Sequence, residues 1–354
     1  GMMYCELICA AQGLALHQRA NEWTDVMDRW RHGAAIGGIS GRCRVHRAEM
    51  LRMTGPCEAA EQEALSACDE LRPWMRREFG WPLAELGMIR LRMGDLAGAE
   101  EALVAAHEHA WSPHPGLALL RLEQGNLEAA QSLIREAIDH PLDIPSKERP
   151  PFGDLRLAPL YDAQVTIAAA AGDLPTARRA TMRLAEIADV YASPSLRACA
   201  AVARAHTARL EGDTDRAAAA ASQAMVDWTS VGAPFEAATA RLVLGHAHAD
   251  AGRRDAAELE WRAAETAFTR FGARRWAQVA RDLVGATAAT NETPASRRGS
   301  FQADGDNRTI TFSGVSVTTR DLKGYRYLER LMADPQREFH VLDLVAVERG
   351  TLPT

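Results

Sequence analysis

A glycine at a polar turn recurs six times along the chain, at Thr54-Gly55-Pro56, Met93-Gly94-Asp95, Gln124-Gly125-Asn126, Ala171-Gly172-Asp173, Glu211-Gly212-Asp213 and Ala251-Gly252-Arg253, spaced 39, 31, 47, 40 and 40 residues apart. Five residues after each glycine stands an alanine: Ala60, Ala99, Ala130, Ala177, Ala217 and Ala257. Twelve after it stand Ala67, Ala106, Ala137, Leu184, Ala224 and Ala264; seven before it stand Ala48, Gly87, Ala118, Val165, Ala205 and Gly245. Such a register suits antiparallel helical hairpins. Small side chains let two helices approach closely, glycine supplies the left-handed residue that ends the first, and Asp, Asn or Thr beside it caps the second. Apolar periodicity places helices over residues 83–93 and 96–110, and over 234–251 and 255–271. One hairpin of this size cannot bury its apolar face alone, so neighbours must stack into a solenoid.

Two stretches interrupt the pattern. Residues 141–159 carry Pro141, Pro145, Pro150, Pro151 and Pro159, which deny helix continuation and explain the longest spacing. They read as a surface loop over the groove. Residues 287–306 are small and polar and read as a linker between a helical repeat domain, 2–286, and a small module, 307–354. In that module residues 308–313 and 315–319 alternate around Ser313-Gly314, the sign of a β-hairpin. Leu322, Tyr325, Leu328, Leu331 and Met332 then form a helical stripe ended before Pro335. Phe339 and residues 341–347 begin a further apolar segment, read as helix. A module of this size is expected to dock on the solenoid or pair with a second copy.

Composition narrows the function classes. Only two of the 41 basic residues are lysines, Lys147 and Lys323, and neither follows a glycine, so no G-x-x-x-x-G-K-[ST] phosphate loop is present. The formal net charge of −6 gives no global field for phosphate backbones. The six cysteines form no C-x-x-C and read as reduced thiols of a cytoplasmic protein. No apolar run approaches the length of a membrane span. Gly1 reads as a tag remnant.

The repeat register resembles that of the tetratricopeptide repeat, although its mean period exceeds the nominal 34 residues. Further wording is similar to the sensor region of actinobacterial LuxR/MalT-type large transcriptional regulators: Tyr4-Cys5, Glu22-Trp23-Thr24, the run from Gly41-Arg42-Cys43 to Arg47-Ala48-Glu49, Pro115-Gly116-Leu117-Ala118-Leu119-Leu120, and Gly232-Ala233-Pro234-Phe235-Glu236-Ala237-Ala238. The likeness covers roughly residues 4–286. It implies a mainly α, tetratricopeptide-like solenoid serving as a sensor, in a family whose members carry an ATPase module before this region; none precedes it in this sequence. The C-terminal hairpin and helix resemble the opening of a winged-helix module, with Asp334 to His340 as its inter-helix turn. The sequence stops at Thr354, before a recognition helix, which leaves direct DNA binding as an alternative reading only.

No G-x-S-x-G or other nucleophile signature is present, and no cofactor or catalytic residue is assigned. Cys43 and His46, three apart on one helix, could join Cys5 on zinc, but no fourth ligand is evident and no metal is assigned. Trp23 and Trp30 read as core. The reading is therefore a non-catalytic sensor or scaffold in bacterial transcriptional regulation; an accessory subunit of a signalling enzyme is the other alternative. Its partner would be a protein, a peptide or a small effector, held in the concave groove that the first helix of each repeat lines. Offsets from the turn glycines nominate Arg42, Glu49 and Arg52, then Trp81, Met88 and Arg92, then Asp162 and Thr166, then His206, Arg209, His246 and Asp250. An amphipathic mixture of arginine, aromatic and methionine suits protein recognition. Trp81 and Arg92 are expected to be removable without unfolding the chain.

Overall fold

The computed structural model describes residues 2–13, 16–31, 39–73, 75, 79–142, 153–289, 300–312 and 315–333. The chain divides into two compact units, Gly1–Thr287 and Ala288–Thr354. In the first, helices pair in chain order: α1 (Met2–Gly13) with α2 (His17–Arg31), α3 (Ile39–Thr54) with α4 (Cys57–Leu71), α5 (Gly80–Met93) with α6 (Leu96–Glu108), and α7 (Gly116–Glu123) with α8 (Leu127–Asp139). Then come α9 (Ala158–Ala171) with α10 (Leu174–Tyr191), α11 (Pro194–Leu210) with α12 (Thr214–Ser230), and α13 (Pro234–Asp250) with α14 (Arg254–Phe271). A single helix, α15 (Arg274–Ala289), follows. This is the tetratricopeptide-like α-solenoid that the register predicts, with the six expected hairpins running from α3 to α14. Of the proline-rich stretch, residues 143–152 lie outside the described residues, and Leu155–Leu157 form one 3-10 turn leading into α9.

The turns work as the sequence suggests, with instructive exceptions. Gly94, Gly125, Gly172, Gly212 and Gly252 all have positive φ, between 69° and 88°. Gly55 does not take that conformation, because the ring of Pro56 drives the residue before it toward extended backbone. The next residue caps the second helix in four repeats: Asp95, Asn126, Asp173 and Asp213 accept from the backbone N–H groups of Gly98, Ala129, Thr176 and Arg216. Pro56 and Arg253 have no side chain that can do so, and their helices start without this bond.

The small-residue register is a set of close contacts. All six alanines at the fifth position are 0% exposed. A Cβ on Gly87 would lie 2.5 Å from Leu103 Cγ, and one on Gly245 would lie 2.5 Å from Trp261 Cδ1. There is no room for a methyl group at either point.

The stack curls until its late helices meet its early ones. Cys57 and Met93 pack in one apolar cluster with Phe235, Trp261, Phe268 and Trp276. Another cluster holds Ala11 and Ala20 of the first hairpin together with Met50, Ala198, Ala201, Ala237 and Ala240. Arg275 of α15 donates to the Glu123 carboxylate at 2.5 Å and to the Glu123 carbonyl at 2.7 Å.

The second unit holds an antiparallel sheet in the order β1 (Ser300–Asp304), β2 (Asn307–Phe312), β3 (Val315–Arg320), then α16 (Lys323–Ala333). The hairpin of β2 and β3 is the expected one, with Phe312 opposite Val315. Strand β1 falls among residues read as linker. Its sequence, SFQAD, has too few apolar residues to signal a strand alone, and it gains order by pairing with β2 around the Gly305 turn. Arg308, 3% exposed at its side chain, pairs with Asp321 at 2.8 Å and Glu329 at 2.7 Å and stacks over Phe301. The expected inter-helix turn and the segment after it lie outside the described residues.

Two glycines in helices test the packing argument. Gly245→Ala should lower stability by about 1–3 kcal/mol in denaturant unfolding, through overpacking against Trp261. Gly285→Ala on α15 has open space at its Cβ and should instead raise stability by about 0.5–1 kcal/mol, as loss of a helix-interior glycine does.

Candidate functional site

The first helices of the repeats place their polar residues in the interior of the solenoid. At its early end Glu49, Arg52, Trp81 and Arg92 come together. Trp81 Nε1 donates to Glu49 Oε1 at 3.0 Å, and Arg52 Nε donates to the buried carboxylate of Glu85. Arg92 donates to the carbonyl of Arg52 at 2.6 Å and to Glu236 of α13, 144 residues away, and its guanidinium lies 4.1 Å from the Phe235 ring centre. Glu49 also receives Gln12 of α1 and pairs with His46 Nδ1 at 3.2 Å, while His46 Nε2 stands 3.1 Å from Cys9 Sγ. Burial pushes the Glu49 carboxyl up, but the bonds from His46 and Trp81 and the Arg52 charge outweigh it and hold it below its ordinary range.

These side chains are structural ties as well as candidate contacts. Trp81 is 5% exposed and the Arg92 side chain 13%. Removing them takes one donor from Glu49 and strands the Glu236 carboxylate in the interior, and the expectation that both can be truncated without unfolding does not survive the geometry. Arg42 is half-buried on α3, seven residues before Glu49, and Met88 lies against Gly116, where an added Cβ would meet its sulfur at 2.9 Å.

The later repeats carry a different patch. Arg209 of α11 and Asp250 of α13 pair at 2.7 Å, with both side chains partly exposed. His206 and His246 stand beside them; burial, then the Arg209 charge, lowers both to about 4, so both rings are neutral near pH 7. His246 packs edge-on against Trp261, and the buried Nδ1 of His206 has no hydrogen-bond partner. Asp162 of α9 lies near Glu236, and burial, reinforced by that charge, raises its carboxyl to about 7. Thr166 turns its hydroxyl back to the Asp162 carbonyl at 3.2 Å. The twelve nominated residues thus do not form one continuous surface: the α3 and α5 set is tied to itself, and the α11 and α13 set is the more accessible.

Sequence offsets miss Glu85, Glu236, His17, Gln12 and Cys9. A signal exists for the first two. Residues 13, 10, 6 and 3 or 2 before the turn glycine form one inner stripe; Glu85 is 9 before Gly94 and Glu236 is 16 before Gly252, which continue that stripe by single helical turns. Nothing local marks His17, Gln12 or Cys9, because their hairpin stands outside the glycine register. Trp23 packs with Ile8, Met27 and Cys43, as its reading as core requires, whereas the Trp30 and Cys5 side chains lie outside the described residues. Among the described residues no group of three His, Cys, Asp or Glu is arranged to hold a metal.

No protein-family model matches the sequence, and no curated protein does. Solved structures do match. A Rap protein complexed with Competence and Sporulation Factor superposes with a TM-score of 0.54 at 12% identity, covering 82% of this chain and 85% of that one. The fold is a tetratricopeptide-like solenoid. A tetratricopeptide repeat protein from Parabacteroides merdae aligns over 71% of this chain and 100% of its own, with 15% identity and a TM-score of 0.35. A signal transduction ATPase with a tetratricopeptide repeat sensor, from Pyrococcus horikoshii, aligns over 80% of this chain and 44% of its own, with 13% identity and a TM-score of 0.38. No helix among the described residues is long and apolar enough to cross a membrane.

The interior charges make two measurable predictions. Arg92→Met should cost about 3–5 kcal/mol in urea unfolding, because it strands Glu236 in the interior. Asp162 is held neutral by the fold, so its contribution is full below its ordinary value of 3.8 and is lost as pH rises to about 7. The melting temperature of Asp162→Asn should therefore match that of the parent near pH 4, exceed it increasingly toward pH 7, and stay level in its advantage above that.

Proposed function

We propose that the chain is a non-catalytic sensor or scaffold of a bacterial transcriptional regulator, taking a protein or peptide partner, or a small effector, against the inner face of its solenoid. The observation that carries this reading is the patch of His206, Arg209, His246 and Asp250. It combines a partly exposed ion pair with two neutral imidazoles and a buried ring nitrogen that lacks a partner. Polar groups that are shielded but not fully satisfied within the protein are what an incoming donor completes. Asp162, close to Glu236, goes with the separate set of Glu49, Arg52, Trp81 and Arg92, and Arg42, Met88 and Thr166 are further contacts of the inner face in this proposal. The Rap protein of the same fold is complexed with a factor, which supports a ligand-taking role for a solenoid of this curvature.

The C-terminal unit is read as winged-helix-like from its order of sheet then helix. Direct DNA binding through it has less support, since Arg308 is neutralised by Asp321 and Glu329, and Arg326 pairs with Asp321 at 3.0 Å.

The decisive measurement is affinity capture from a native-host extract by the parent chain and by Arg209→Ala/His246→Ala in parallel, with melting curves to show that the variant is folded. A factor retained by the parent should be retained at least about tenfold less well by the folded variant, the loss of a typical contact hot spot. Equal retention would remove the patch as the contact site, and sequence-selective retardation of duplex DNA would favour the DNA-binding alternative.

A further inference from the structure

The Cys9, His46 and Glu49 side chains form a line that the partner-binding reading does not use. Cys9 lies on α1; His46 and Glu49 lie one turn apart on α3, which packs against it. Sγ is 3.1 Å from Nε2, and Nδ1 is 3.2 Å from Glu49 Oε2. Glu49 is fixed in turn by Trp81 Nε1 at 3.0 Å and by Gln12. His46 is 2% exposed and stands edge-on to the Trp81 ring, with centroids 4.9 Å apart, so it cannot swing away. Cys9 is half-buried. A thiol within hydrogen-bond reach of a base, with the base oriented by a fixed carboxylate, is the arrangement that activates a sulfur nucleophile.

We propose that Cys9 is a reactive thiol, activated by His46 and with Glu49 as positioning residue, that forms a mixed disulfide with small-molecule disulfides. The Cys9 thiol proton passes to His46 Nε2, whose imidazolium is stabilised by the Glu49 carboxylate at Nδ1. The thiolate attacks one sulfur of the incoming disulfide; a new S–S bond forms, the old one breaks, and the departing thiolate takes the proton from His46. The incoming disulfide is the oxidant, and it leaves as one thiol plus the half now bound to Cys9. Such an exchange needs a base and then an acid, and His46 supplies both in turn.

The other described cysteines are placed differently. Cys43, Cys57 and Cys68 sit in apolar clusters, and burial pushes the Cys57 thiol up and the Cys68 thiol up to about 11. Burial, with Asp162 and Glu236 nearby, pushes Cys199 well above its ordinary value. Thiols held protonated are poor nucleophiles.

The test uses the full chain, reduced and freed of reductant, with glutathione disulfide as probe. At pH 6 the folded chain should gain one glutathione, mapped to Cys9 by mass spectrometry of its peptides. Its rate should be at least about tenfold that of Cys9 in the urea-unfolded chain, where ordinary thiols are almost wholly protonated. Between pH 6 and 8 the folded rate should change little while the unfolded rate climbs about tenfold per pH unit. Cys9→Ser should abolish the fast addition, and His46→Gln should restore the steep pH dependence. A folded rate at pH 6 no faster than the unfolded one, an adduct on another cysteine, or a folded His46→Gln chain with an unchanged profile would each overturn the proposal. If His46→Gln does not fold, the parent's pH profile and the Cys9→Ser chain decide the matter alone.

Discussion

Everything in the solenoid depends on how closely one helix can approach the next. An alanine with no exposed surface, five residues past each turn, sets that distance at six places. Gly87 and Gly245 set it again where Leu103 and a Trp261 ring press against bare backbone. Because the contact recurs with the same chemistry, each hairpin adds a similar rotation, and similar rotations accumulate into a curl. The curl, in turn, turns one face of the odd-numbered helices inward.

An inward face that narrows must resolve its charges without water. The early repeats do so by pairing across the interior: Arg52 with Glu85, and Arg92 with Glu236 from the far side of the stack. Not every charge finds an opposite. Asp162 keeps its proton up to about pH 7, and His17, His206 and His246 stay neutral down to about pH 4, burial being the first cause in each case. Asp162 and His17 lie close to Glu236, so neutral groups share the Arg92 end with its ion pairs, whereas His206 and His246 stand beside Arg209. What separates the ends is exposure: the Arg92–Glu236 pair is largely buried, and the Arg209–Asp250 pair is the more open to a contact from outside.

The fold is legible in the sequence because its determinants are local and repeated. Turn glycines, capping residues and small-residue positions can each be read without knowing what lies across the molecule, and Gly55 departs from the pattern only because of its neighbour, Pro56. The inner stripe is also legible in direction, since Glu49, Arg52, Trp81 and Arg92 do meet. Their partners are not. Glu236 is 144 residues from Arg92, and Cys9 and Gln12 reach His46 and Glu49 from a hairpin that carries no register at all. Strand β1 escapes a sequence reading for a related reason: its order is lent by β2 rather than encoded in its own alternation. Curvature creates these contacts, and curvature is a sum over the whole stack that no single repeat displays.

Arg275 gives the closing of the curl a thermodynamic meaning. A linear array of repeats melts from its ends, since a terminal unit has one neighbour and little to lose. Here the terminal helix α15 is bonded to Glu123, 152 residues earlier, and its Arg275 lies against the Gly94 turn. Opening the last repeat must also disturb the second and third, so the array has no independent end from which to fray. Loosening at any one hairpin is felt as a change of pitch by all the others, which gives the stack an all-or-none character foreign to an open row of repeats.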